Sequence, residues 1–298
     1  MAKIINFKKE FLKRHPEHKQ IIQSLSLEKI SKLTKLMNDQ YEKNLEFNIN
    51  IHKTIKQQTK DLKKYYENLC KKKLISENSL LVKFYTASIN YSDKVNELSS
   101  SLFLLLKKNH YISSLIILRS IAETIAIYFF LISKVEIHLK KKNWIMIQNI
   151  VDRHLYGSNV PHLYLRDLPQ LKPYHVNDAL EYAFKNNNKK IYKAVTSKNK
   201  NFELEFTFIK KNDYDLLSEL VHPVAPFRHN IDKDFSLLHS IGNLEKFTTT
   251  ELASRIMHVQ IYKDLIMEAS NCITVNFPLN QLTADIIDRY IKHKGEKF

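Results

Sequence analysis

Five side chains in two short segments have the types and spacings that phosphate chemistry needs. Arg119 and Glu123 stand four residues apart in Leu118-Arg119-Ser120-Ile121-Ala122-Glu123 and so share one helix face. Tyr214, Ser218 and His222 recur at the same interval in Tyr214-Asp215-Leu216-Leu217-Ser218-Glu219-Leu220-Val221-His222-Pro223 and make a second polar stripe. Histidine trades a proton near neutral pH, and arginine clamps a phosphate through paired N–H groups. With His222 as general acid and base, Arg119 as clamp beside Glu123, and Ser218 or Tyr214 as orienting group, the set would suffice for metal-independent RNA cleavage. The same five groups, hydrogen-bonded inside an apolar bundle, would instead pin the packing of a helical core. Both readings require the two segments to face each other.

The elements that would position these residues read as helices, and the chain as an all-α bundle. Residues 27–73 show apolar positions at Ile30, Leu33, Met37, Tyr41, Leu45, Ile51, Ile55, Leu62, Tyr66 and Leu69, mostly three, four or seven apart, with no proline or glycine between them. That pattern predicts one helix of roughly 70 Å, a long N-terminal arm suited to a coiled-coil-like hairpin or a dimer. The predicted boundary falls near residue 78, with a basic helical arm over 1–78 and a helical core domain over 79–298. Within the core, helices are expected over residues 80–108 and 111–133. An amphipathic helix over 135–154, carrying the run Lys140-Lys141-Lys142, would follow. Residues 156–173, with Gly157 and three prolines, read as a surface loop. Residues 177–196 read as helical. Residues 202–208 alternate as a short strand would but have no evident partner strand. Further helices are expected from Tyr214 to about His222, from Thr249 or Thr250 to about Thr274, and from Asn280 or Thr283 onward.

The pairing of Arg-x3-Glu on an apolar helix with a later Tyr-x2-Leu-Ser-x3-His-Pro resembles a widespread bacterial family of unknown function. The helical core of that family is similar to the HEPN (higher eukaryote and prokaryote nucleotide-binding) superfamily. The resemblance spans roughly residues 80–275. It implies a nucleic-acid-associated protein, in the catalytic case a metal-independent ribonuclease acting in toxin or phage-defence systems. The usual HEPN signature, arginine followed after four to six residues by histidine, is absent after each of the seven arginines.

Composition narrows the rest. Three glycines, Gly157, Gly242 and Gly295, leave no glycine-rich phosphate loop or dinucleotide fingerprint, which excludes the common nucleotide-binding classes. Cys70 and Cys272 are too few for a disulfide framework or a cysteine zinc site, and read as free thiols of a cytoplasmic protein. A lone Glu219-x-x-His222 does not make a bundle di-metal centre, so neither metal nor cofactor is expected. The apolar stretch 111–133 is long enough to span a membrane but carries Arg119 and Glu123 at its middle, so it is read as a core helix and no membrane span is expected. The net charge is +16, and residues 1–80 hold 18 Lys and Arg against 9 Asp and Glu. RNA or another polyanion is the partner this suggests, with Lys71, Lys72, Lys73, Lys140, Lys141 and Lys142 as candidate contacts. The alternative is a non-catalytic protein that forms a homo-oligomer through its arm and uses the polar cluster structurally.

Overall fold

A computed structural model of the chain describes residues 27–71, 79–157, 174–187, 189–195, 201–206, 208–221 and 249–294, together with Lys13 and Pro16. The fold is all-α, with one β-hairpin. Helix α1 spans Leu27–Lys71, α2 Leu80–Lys107, α3 Tyr111–Lys140 and α4 Trp144–Tyr156. Helix α5 spans Val176–Lys185, and strands β1 (Lys189–Val195) and β2 (Asn201–Phe206) follow. Helix α6 spans Lys211–Val221, α7 Thr249–Ser270 and α8 Asn276–Lys294, with a short 3₁₀ turn at Asn271–Val275 joining the last two.

These elements make two compact units, and the long helices contribute to both. The first unit takes α1 up to Asn50, Ser101–Arg119 and Asn212–Ser270. Its core includes Met37, Tyr41 and Leu45 of α1, Leu102 and Leu106 of α2, and Leu115 and Leu118 of α3. Leu217 of α6 and Tyr262, Leu265 and Ile266 of α7 complete it. The Asn48 side-chain amide donates to Ser270 Oγ at 2.9 Å, tying α1 to the end of α7.

The second unit takes α1 from Ile51, α2 up to Ser100, Ser120–Lys211 and Asn271–Phe298. Its apolar core includes Ile55 and Leu62, Phe84 and Val95, Ile121, Ile125 and Ile132, Val151, Leu180, and Leu279 and Ile287. Running through it is a buried polar network. Thr59 Oγ1 accepts from Asn96 Nδ2 at 2.9 Å and from Asn280 Nδ2 at 3.1 Å, and lies 3.0 Å from Ser92 Oγ. The Thr59 hydroxyl itself donates to Ile55 O at 3.1 Å, one turn earlier on α1. Asn276 Nδ2 also donates to Ser92 Oγ, at 3.2 Å. The Tyr128 hydroxyl closes the far end, donating to Asn280 Oδ1 at 3.1 Å beside Thr283 Oγ1 at 2.8 Å. Four helices, α1, α2, α3 and α8, are thereby held in one register relative to each other.

Helix α1 is therefore not an arm standing apart from a core that begins at residue 79. It is one uninterrupted helix of 45 residues, as its periodicity predicts. Its apolar stripe, however, is buried along its length, from Met37 at 5% exposure to Tyr66 at 8%.

Helix α3 also departs from expectation. It continues past Ser133 to Lys140, because Ile132, Val135 and Leu139 keep the buried face going through the polar residues between them. The break comes at Lys141–Asn143, where Lys142 takes φ 52 and Asn143 caps α4 by accepting from the Met146 N–H at 3.2 Å. Lys140-Lys141-Lys142 is thus a helix end and turn, not one face of a helix running over 135–154. Helix α3 is the one described helix long and apolar enough to cross a membrane, and 67% of its most apolar window is buried within the protein.

The predicted helix over 177–196 stops at Lys185. Asn186 Nδ2 donates back to Tyr182 O at 2.7 Å and ends it. Asn187 then holds Phe208 by two bonds, Nδ2 to Phe208 O at 2.8 Å and Phe208 N to its Oδ1 at 2.6 Å. Residues 189–195 are a strand and supply the partner that 201–206 lacked in the sequence, paired antiparallel with an irregularity between Lys190 and Tyr192. The last helix starts at Asn276, earlier than predicted, with Pro278 in its first turn, where the missing N–H costs nothing.

Candidate functional site

The predicted constellation divides between the two units. Arg119 closes the first unit's stretch of α3, and Tyr214 and Ser218 lie on α6 in that same unit, whereas Glu123 belongs to the second unit. Arg119 and Glu123 are half-buried rather than sealed in the core. Tyr214 is buried, and Ser218 Oγ is shielded from solvent with no hydrogen-bond partner among the described residues. Helix α6 begins at Lys211, so Asp213 is a buried residue of its first turn rather than the residue before it. His222 follows the last residue of α6 and lies outside the described residues, as does the segment 223–229 after it.

Of the basic candidates, Lys71 is exposed at the end of α1, and Lys72 and Lys73 lie outside the described residues. Lys140, Lys141 and Lys142 are all exposed. Lys140 pairs with Glu136 at 3.1 Å, and Glu136 also lies 3.6 Å from Arg289, so part of that run is already neutralised.

A longer basic feature was not singled out from the sequence. Along the second unit's stretch of α1, Lys53, Lys56, Lys60, Lys64 and Lys71 are all exposed. Their spacings of three, four, four and seven place them within an arc of about 80° on a helix turning about 100° per residue. The residues on the opposite side, Ile55, Thr59, Leu62 and Tyr66, are buried. One acid, Glu67, falls in the same arc, while Asp61 lies off it and accepts from Gln57 at 2.9 Å. The signal was present in the sequence as a lysine every turn, but it becomes a surface only when the buried face of α1 is known.

A second cluster sits at the end of α4. Asp152 accepts from Lys83 Nζ at 2.9 Å and from Gln148 Nε2 at 2.6 Å. The Arg153 guanidinium stacks 3.8 Å from the Tyr174 ring centre. His154 Nδ1 lies 3.0 Å from the Tyr91 hydroxyl, and its ring lies 4.8 Å from that of Tyr174. Burial, with the Arg153 charge added, pushes His154 down to about 3. It is therefore neutral across the physiological range and unsuited to proton exchange near pH 7. His52 is likewise held below its ordinary value by burial, with its Nε2 against Asn96 O at 3.2 Å. Among the described residues no cluster of His, Cys, Asp and Glu is arranged to hold a metal ion.

No family model matches the chain, and no curated protein or solved structure is significantly similar to it.

Proposed function

We propose that this is a nucleic-acid-associated helical protein of HEPN-like type whose partner is RNA, acting as an RNA-targeting effector in bacterial toxin or phage-defence systems. The observation that supports this best is the charge of +16 together with the exposure of the lysines on α1 and at the turn between α3 and α4. A surface of that sign binds a phosphate backbone by releasing its counterions, so affinity must fall steeply with salt. The test is titration of a fluorescent single-stranded RNA with the full chain between about 50 and 200 mM salt. Binding that weakens steeply across that range is expected, and binding that is absent at low salt, or flat with salt, removes the proposal. In the catalytic form of this reading Arg119 clamps a phosphate and His222 exchanges the proton. His222→Ala would then abolish RNA cleavage while leaving RNA binding in place.

The alternative, a non-catalytic protein that self-associates, is favoured by one observation. Leu36 and Phe47 stand eleven residues apart on one side of α1 and are 59% and 64% exposed.

A further inference from the structure

We infer that the lysine row of α1, Lys53, Lys56, Lys60, Lys64 and Lys71, is the surface on which a single-stranded nucleic-acid backbone lies. The inference rests on the RNA-binding proposal and assigns it to a place. The row extends over about 27 Å, with roughly one ammonium per 5.4 Å turn over its first part. A flexible strand can set successive phosphates against such a line, and lysine supplies a point charge that needs no fixed geometry.

Three features define what the row recognises. The exposed side chains between the lysines are Thr54, Gln57, Asp61, Glu67, Asn68 and Cys70, with no exposed aromatic ring for a base to stack on. It therefore reads phosphate and not base, and binding is indifferent to sequence. Its opposite face is fully committed to the core of the second unit through Ile55, Thr59, Leu62 and Tyr66. An anionic membrane surface is the other partner a basic helix can take, but such a helix buries an apolar face in the lipid boundary, and α1 has none to offer here. Rigidity is the third feature. Thr59, in the middle of the row but on its buried side, is bonded to α2 and α8, so the lysines are mounted on a fixed rod rather than a loose segment.

Counterion release makes the inference quantitative. Five lysines against a single strand give a slope of log K on log salt near −3.5, about −0.7 for each phosphate neutralised. The experiment compares the full chain with K53Q/K56Q/K60Q/K64Q/K71Q and with K140Q/K141Q/K142Q, using short oligouridine, oligoadenosine and phosphatidylserine vesicles as probes. Glutamine matches lysine in helix propensity, and all the positions are exposed, so each variant should keep the circular dichroism and melting temperature of the parent. The expected result is a loss of roughly tenfold or more in RNA affinity for the row variant, with most of the slope removed. The Lys140–Lys142 variant should lose much less, and the two oligonucleotides should bind alike. If the parent binds RNA and the row variant retains its affinity and slope, the row is not the surface, although RNA binding stands. If the parent binds neither oligonucleotide, the RNA-binding proposal itself fails. Binding to vesicles but not to RNA, or a strong preference between the two oligonucleotides, overturns the assignment of a bare phosphate backbone as the partner.

Discussion

Thr59 shows how much one hydroxyl can hold in a helical core. It is 2% exposed, receives the amides of Asn96 and Asn280, donates to Ile55 O and lies 3.0 Å from Ser92 Oγ. The network is already stretched, because Asn96 Oδ1 and Asn276 Oδ1 have no hydrogen-bond partner among the described residues. Thr59→Val keeps the shape and removes every one of these bonds, stranding two buried amide donors. The expected loss is about 1–3 kcal/mol for each unsatisfied group, read by urea unfolding. Thr59→Ser keeps the hydroxyl and should lose far less, so equal losses for the two variants would show that the methyl and not the network matters.

Lys263 is the opposite case, a charge placed where water is scarce. It is 3% exposed, donates to Asn38 Oδ1 at 2.6 Å and lies 4.7 Å from the Tyr41 ring centre. Burial pushes it down to about 8, against the favourable field of Glu42. The unfolded chain therefore holds its proton to higher pH than the folded one, and the penalty for protonating the folded state is present below about pH 8. It is relieved as pH rises from there toward the ordinary lysine value near 10.4. The gain is at most about 3 kcal/mol, at 1.36 kcal/mol for each pKa unit. Lys263→Met should melt no lower than the parent at pH 7 and should lose the rise in stability between pH 8 and 10. His154 acts on the other side of neutrality: the unfolded chain binds a proton near pH 6.5 and the folded chain only near 3, so stability falls as pH drops through that window.

At the scale of elements, what was legible in the sequence followed from unbroken periodicity and from strong punctuation. The length of α1, the end of α2 and the turn at Asn109, which takes φ 59, all carry such signals. Two kinds of feature did not. The segment 189–195 is read as helix or strand only through its antiparallel partner 201–206, and no glycine stands between the two in the sequence to announce the pairing. The inward face of α1 mixes Asn48, His52 and Thr59 with Met37, Ile55 and Leu62, so in the sequence it resembles a polar arm with a thin apolar seam. Its polar members are buried because Ser270 of α7 meets Asn48, and Asn96 of α2 and Asn280 of α8 meet His52 and Thr59, and pairings between helices leave no periodic mark. The five-residue constellation was legible only as a pattern on two helices. The structure places Arg119, Tyr214 and Ser218 in one unit but Glu123 in the other.

Removal of residues 1–75 tests the place of α1 directly. The truncated chain would lose Met37, Tyr41 and Leu45 from the first unit and Ile55, Thr59 and Leu62 from the second, each under 7% exposed. A buried leucine or isoleucine reduced to alanine alone costs about 2–5 kcal/mol, and a whole domain is stable by only about 5–15 kcal/mol. The remainder should therefore be insoluble or molten, with helical far-ultraviolet dichroism but no near-ultraviolet signal. A truncated chain that is soluble, melts cooperatively and keeps its near-ultraviolet spectrum would restore the independent arm.

At the scale of the whole molecule, charge and apolar surface fall on different parts of α1. The lysine row belongs to the second unit, whereas Leu36 and Phe47 belong to the first. Leu104, 55% exposed, and Ile116, 42% exposed, are further large apolar side chains of the first unit that meet solvent. Isolated exposed leucines are ordinary, but a phenylalanine at 64% exposure aligned with a leucine three turns earlier is a seam that a second copy of the chain can cover. The seam and the lysine row share no residue, so substitution of Leu36 and Phe47 leaves the charges of the row intact. Leu36→Glu with Phe47→Glu should then lower the sedimentation-equilibrium mass of the full chain toward 35.3 kDa, and RNA affinity per chain should change little. A parent chain that is already monomeric at high micromolar concentration would remove the seam as an interface. If the double variant instead loses RNA binding along with its oligomeric state, the RNA site requires two chains, and the row on one α1 is not sufficient.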